Sequence, residues 1–130
     1  LGGEFPLKIP GETVLPGWCI EANITNPSVV KGKPEGANDF TAYFDLDNTG
    51  DKLLVRPRQP GDRFQPLGMS QPKKLGEFMV DAKIPSAWRQ RVPIVCSSQH
   101  ILWVVGWRID ERVKVTKETK QVLCLKFKRI

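Results

Sequence analysis

The chain has 130 residues, 40% of them hydrophobic, and its 20 Lys+Arg against 14 Asp+Glu leave a net charge of +6. That size supports one domain, 1–130, with a buried core, and the apolar content excludes a disordered chain. No apolar run approaches the roughly 20 residues of a membrane helix, and no charged-then-apolar leader opens the chain.

Residues 1–17 hold Gly, Pro and short apolar pairs, which predicts edge strands or extended arms. Residues 18–25 alternate, with Trp18, Ile20, Ala22 and Ile24 on one face of a strand. The Pro-, Gly- and Lys-rich stretch 26–39 predicts a loop. Strands are expected over 40–46 and 52–58, separated by a turn at 47–51. The period then changes. Leu75, Phe78, Met79 and Ala82 recur at three and four residues, predicting an amphipathic helix over 73–83 that Pro85 stops. Ser86 is placed to cap a second short helix over 86–92. Buried strands at 93–96 and 101–105 flank a hairpin turn, Ser97-Ser98-Gln99-His100, and an alternating strand over 122–128 closes the chain. The fold class is α+β and β-rich, with two short helices between strands.

Cys19, Cys96 and Cys124 are odd in number and widely spaced, with no CxxC or Cys/His cluster. Neither a disulfide framework nor a metal site is expected; the three read as buried free thiols in a reducing, cytoplasmic compartment. The sequon at Asn23 reads as chance there.

Charge is segregated. Residues 1–51 hold three Lys/Arg and eight Asp/Glu, residues 52–91 hold nine and three, and residues 92–130 hold eight and three. The basic part begins with Arg56-Pro57-Arg58-Gln59-Pro60-Gly61-Asp62-Arg63-Phe64-Gln65-Pro66-Leu67-Gly68 and runs on to Lys73-Lys74. Pro fixes φ and Gly permits φ > 0, so Gln59-Pro60-Gly61-Asp62 predicts a tight turn that presents arginines. Such a group suits phosphate; the plainer reading is a solvated basic surface. Asp62 is expected to hold the turn or orient a neighbouring arginine, and Asp110-Glu111, between Arg108 and Arg112, reads as local ion pairing.

No catalytic constellation is found. The single histidine, His100, lies in a hairpin turn, and there is no phosphate loop of the GxxxxGK[ST] type and no GxSxG elbow. Nucleic acid fits the basic part: cations for phosphates, with Trp88, Trp107 or Phe64 available to stack. Trp18 and Trp103 read as core.

The run from Arg58 to Gly68, then Lys73-Lys74-Leu75, Phe78, Asp81 and Lys83-Ile84-Pro85, resembles the C-terminal domain of bacterial tRNA(Ile)-lysidine synthetase. So do Arg91-Val92-Pro93-Ile94-Val95, Ile101-Leu102-Trp103-Val104 and Gly106-Trp107-Arg108-Ile109-Asp110-Glu111-Arg112. The likeness covers 53–116; residues 1–52 match only loosely. It implies a C-terminal substrate-binding domain of a longer ligase, cut from that protein, as the initial Leu also suggests. The whole enzyme would use ATP, with magnesium, to join lysine to the wobble cytidine of tRNA(Ile), changing its codon reading from AUG to AUA. That chemistry would lie in an N-terminal domain with a Ser-Gly-Gly-x-Asp-Ser loop, absent here, so no active site and no cofactor are expected in this chain. The fold implied is sandwich-like, similar to a domain of the phenylalanyl-tRNA synthetase β subunit. The partner implied is the acceptor stem of tRNA(Ile). The residues expected to grip it are Arg56, Arg58, Arg63, Lys73 and Lys74, with Arg89, Arg91, Arg108 and Arg112 second. Pro60, Gly61 and Gly68 would be scaffold; Phe64, Leu75, Phe78 and Trp103 would be core. The alternative is an interaction domain that docks on its own catalytic domain or forms a homodimer.

Overall fold

A computed structural model describes residues 3–30 and 40–130. One sheet has the order β1 (Phe5–Pro6), β5 (Leu54–Arg56), β8 (Ile94–Cys96), β9 (Ile101–Val104) and β10 (Arg108–Ile109). A second has the order β2 (Gly11–Leu15), β3 (Trp18–Thr25), β11 (Val122–Arg129) and β4 (Thr41–Asp45). The pairings in both are antiparallel. A two-stranded ribbon, β6 (Arg63–Phe64) with β7 (Lys73–Lys74), stands apart from them.

The two sheets close on one apolar core. Trp18, Ile20 and Ala22 of β3 point inward at alternate positions, as the period of two dictates, and meet Leu123, Leu125 and Phe127 of β11. Val55, Val95 and Trp103 come from the facing sheet. Trp103 stands edge-on to Phe44 and Phe127, with ring centroids 5.9 and 5.2 Å away. Ile24, at the end of the same stripe and still paired with Leu123, is 37% exposed.

The first sheet is buried on its other face too. Ile94, Cys96, Ile101 and Val104 pack there against Phe64, Leu75, Phe78, Met79, Ile84 and Val92. Burial on both faces explains why β8 and β9 read as continuous apolar runs. The second core is capped by helix α2 (Leu75–Asp81) and the ribbon, which place the basic stretch as an outer, third layer.

Several sequence expectations shift. The helix expected over 73–83 begins only at Leu75; Lys73 and Lys74 are strand, paired with Phe64 and Arg63. The helix expected over 86–92 is a single 3-10 turn, Ser86–Trp88, with none of its residues buried. An apolar face is what stabilises so short a helix, and here there is none. The second α-helix is instead α1 (Leu46–Thr49), where a turn was expected; the Asp45 carboxylate caps it by accepting from Asp47 N at 3.0 Å. Cys96 and Cys124 are buried and free, but Cys19 is half-buried because it faces outward on β3. Of the loop expected over 26–39, Pro27–Val30 forms a 3-10 turn and residues 31–39 lie outside the described residues. No helix of the described residues is long and apolar enough to cross a membrane.

Phe64 has no solvent exposure and stands edge-on to Phe78, ring centroids 5.0 Å apart. Replacing it with Ala should cost about 3–5 kcal/mol in urea unfolding.

Candidate nucleic-acid interface

The basic stretch is held by two tight turns and two carboxylates. In the first turn Asp62 N donates to Gln59 O at 3.2 Å, and Gly61 takes φ +83°. In the second, Met69 N donates to Pro66 O at 2.9 Å with Gly68 at φ +90°. Both glycines occupy the third turn position, where φ must be positive, so their scaffold role follows from backbone geometry.

Asp62 performs both of its expected tasks. Its carboxylate accepts from Gln59 N at 2.8 Å and grips Arg56 bidentately, Nη2 to Oδ1 at 3.1 Å and Nη1 to Oδ2 at 2.9 Å. Each side chain of this pair is 11% exposed. Burial, the largest single influence, works to lower the Arg56 pKa, but the bond to Asp62 and the attraction of Asp62 and Cys96 together outweigh it and the net shift is upward.

The second carboxylate, Asp110, is fully buried. It accepts from Gln65 N at 2.8 Å and from Arg112 through N, Nε and Nη2 at 2.8–2.9 Å. Those bonds raise the Arg112 pKa. Beside it Glu111 N donates to Gln65 O at 2.7 Å, Leu67 N to Ile109 O at 2.9 Å, and Gly68 N to Glu111 Oε1 at 2.8 Å. The segment 65–68 is thus laced to the end of β10. The expected Asp110–Arg112 pairing is present; its burial and its grip on Gln65 had no sequence signal.

The nine cations named from the sequence fall into separate groups. Arg56, Arg112 and Lys73 are paired with carboxylates, Lys73 Nζ lying 2.6 Å from Asp81 Oδ2. Arg58 and Arg89 are held by neutral acceptors and keep their charge: Arg58 Nε donates to Gln90 Oε1 at 2.8 Å, and Arg89 Nε to Ile84 O at 3.0 Å. Arg91 lies over the Trp88 ring and Arg108 over Phe78, 5.9 and 5.6 Å from the centroids. Arg63 and Lys74 are exposed and have no side-chain partner among the described residues. They are also directly opposite each other across the β6–β7 ribbon, so two like charges share one face. A cleft of about 530 Å³ beside Lys74 has Arg58, Asp62, Lys74, Gly76, Glu77 and Gln90 in its lining. A Cβ on Gly76 would sit 3.9 Å from Arg58 Nη1, an ordinary contact, so space does not require glycine there.

The aromatic candidates divide as cleanly. Phe64 is sealed in the second core and cannot stack on a base, whereas Trp88 and Trp107 are 49% and 44% exposed. Gln90, which fixes Arg58, is a site residue that the sequence did not reveal.

This architecture matches known proteins. The family model described as the TilS substrate C-terminal domain covers residues 53–125, and the chain belongs to that family. It is 47% identical over 126 residues to a tRNA(Ile)-lysidine synthase of Dehalococcoides mccartyi (strain CBDB1), covering 97% of this chain and 26% of the relative. A tRNA(Ile)-lysidine synthase of Caldanaerobacter subterraneus subsp. tengcongensis is 40% identical over 122 residues, again covering 26% of the relative. The chain therefore spans about a quarter of the length of these curated relatives. A crystal structure of a TilS C-terminal domain matches 100% of this chain and 98% of its own, with a TM-score of 0.80 and 28% identity. A fragment of the phenylalanyl-tRNA synthetase β subunit from Pyrococcus horikoshii shares the fold over 67% of this chain, with a TM-score of 0.56 and 19% identity.

Two outcomes check the site. Asp62→Ala should cost about 2–3 kcal/mol in thermal or urea unfolding, because it strands a largely buried guanidinium and removes a turn cap. Bonds from Lys114 and then Gly68 N lower the Glu111 pKa below the ordinary glutamate value. A depressed folded-state pKa gives stability that is present above the unfolded value and is lost as pH falls through the folded one. Glu111→Ala should therefore lower Tm at pH 7, and the gap to the parent chain should shrink as the solution is acidified below pH ~4.

Proposed function

We propose that the chain is the tRNA-binding, C-terminal domain of an ATP-dependent ligase that converts the wobble cytidine of tRNA(Ile) to lysidine, and that its outer layer grips the acceptor stem. The observation that carries this reading is the Arg63–Lys74 pair: two cations held face to face that form no ion pair among the described residues. An RNA backbone supplies the missing charge. A-form stems present phosphates and 2′-hydroxyls and hide most base edges, so binding by shape and charge is what such a surface can do. Arg58, Arg89 and Arg91 extend the field, and Trp88 adds a stacking surface at its edge. Arg56 and Lys73 serve mainly to shape it, their charges being already matched.

The names of the relatives support the identity of the parent enzyme, and ATP, magnesium and lysine belong to its catalytic domain outside this chain. Its setting would be the cytoplasm, with that catalytic domain as the second partner.

In a fluorescence binding assay with a tRNA(Ile) transcript, affinity should fall steeply with salt. Replacing Arg63 and Lys74 together by Gln should weaken binding at least about tenfold and reduce the log–log salt slope by about 2. Tm should stay level or rise, since a like-charge pair is relieved. A chain that fails to bind tRNA at low salt but self-associates in light scattering, or captures the catalytic domain, would replace this reading with a docking role.

A further inference from the structure

We propose that the cleft between the 59–62 turn and the 97–100 hairpin is a discrete subsite for a single phosphate group, bound by Arg63, Arg112 and His100. The cleft has a volume of about 400 Å³, and its walls come from three separate places: the turn and ribbon, the β8–β9 hairpin, and the segment after β10. Donors that converge from several directions suit the tetrahedral oxygens of phosphate better than a planar carboxylate.

The charges around it are sorted in a way that favours an anion. Asp62 is a carboxylate in the lining, and both its oxygens are taken by Arg56 and Gln59 N. Cys96, at the floor, has its thiol pKa pushed up by burial, so it adds no negative charge. Arg112 spends Nε and Nη2 on Asp110 and keeps both N–H groups of Nη1. Arg63 has no side-chain partner among the described residues, which leaves its guanidinium to offer. His100 presents an N–H donor in either protonation state. Ser97 is not a ligand: its hydroxyl accepts from Gln99 N and His100 N at 3.2 Å and so fixes the hairpin that carries the imidazole. Ser98 and Gln99, exposed at the tip, flank the mouth.

The source of the phosphate rests on the tRNA reading above: it is either the terminal 5′-monoester of the stem or an internal diester. The subsite itself can be tested without RNA, because His100 is the single histidine of the chain and its ring signals report on one place. Titrating the 130-residue chain with inorganic phosphate at fixed pH and ionic strength should shift those signals saturably, and Arg63→Gln should weaken the response about tenfold. No saturable shift, or an identical one in Arg63→Gln, overturns the subsite. A second arm compares a short RNA stem with and without a 5′-phosphate. Tighter binding and a larger His100 shift with the phosphorylated end identify the monoester; equal shifts identify a diester. RNA binding that leaves His100 unmoved removes the subsite while the nucleic-acid role stands. A phosphate response without RNA binding keeps the subsite and removes that role.

Discussion

Asp110 has no contact with solvent and accepts four hydrogen bonds, one from Gln65 N and three from Arg112. A buried carboxylate is tolerated only when its lone pairs are used in this way. Here the consequence is architectural. The bond to Gln65 fixes the chain just after Phe64, the aromatic that seals the second core. The bonds to Arg112 fix the segment that leaves β10. Together they suspend the basic loop between a packed side chain and a sheet edge, so that its two glycine turns have a rigid frame to act on.

Within that frame the protein divides its cations by function. Asp62, Asp81 and Asp110 each neutralise one, and all three neutralised side chains help to hold a turn, the ribbon or the helix. The cations left over are on the outer layer, beside exposed tryptophan. Had Asp62 been free it would have weakened the field of its neighbours. Bound to Arg56 it removes one positive charge and stiffens the display of the others. A stiff display loses less conformational entropy when a polyanion arrives.

Much of this was legible in the sequence, for identifiable reasons. Alternation found β3 and β11, because one face of each is buried. Pro60-Gly61 and the charges around them found the turn, because those residue types restrict the backbone locally. The 3.6-residue period found α2, though not its start. Lys73 and Lys74 are strand because Arg63 and Phe64 lie opposite them, a tertiary fact with no local signature. Ser86 does not cap the segment that it opens: it lies inside the 3-10 turn, the cap position is Pro85 with no side-chain bond, and without an apolar face propensity alone did not make an α-helix. Charge could be counted from the sequence, but not which cations carboxylates consume. Asp62 reaches Arg56 six residues back, and Asp110 binds Gln65 across 45 residues.

In the reading proposed above, RNA meets one face, the outer layer over the second core. Amide chemical-shift mapping of the labelled chain with a tRNA(Ile) transcript tests it most directly. The account predicts perturbations centred on Arg63, Lys74 and Arg91 and extending to Trp88. Perturbations confined instead to the exposed face of the second sheet, at Glu12, Glu21, Lys126 and Lys128, would contradict it.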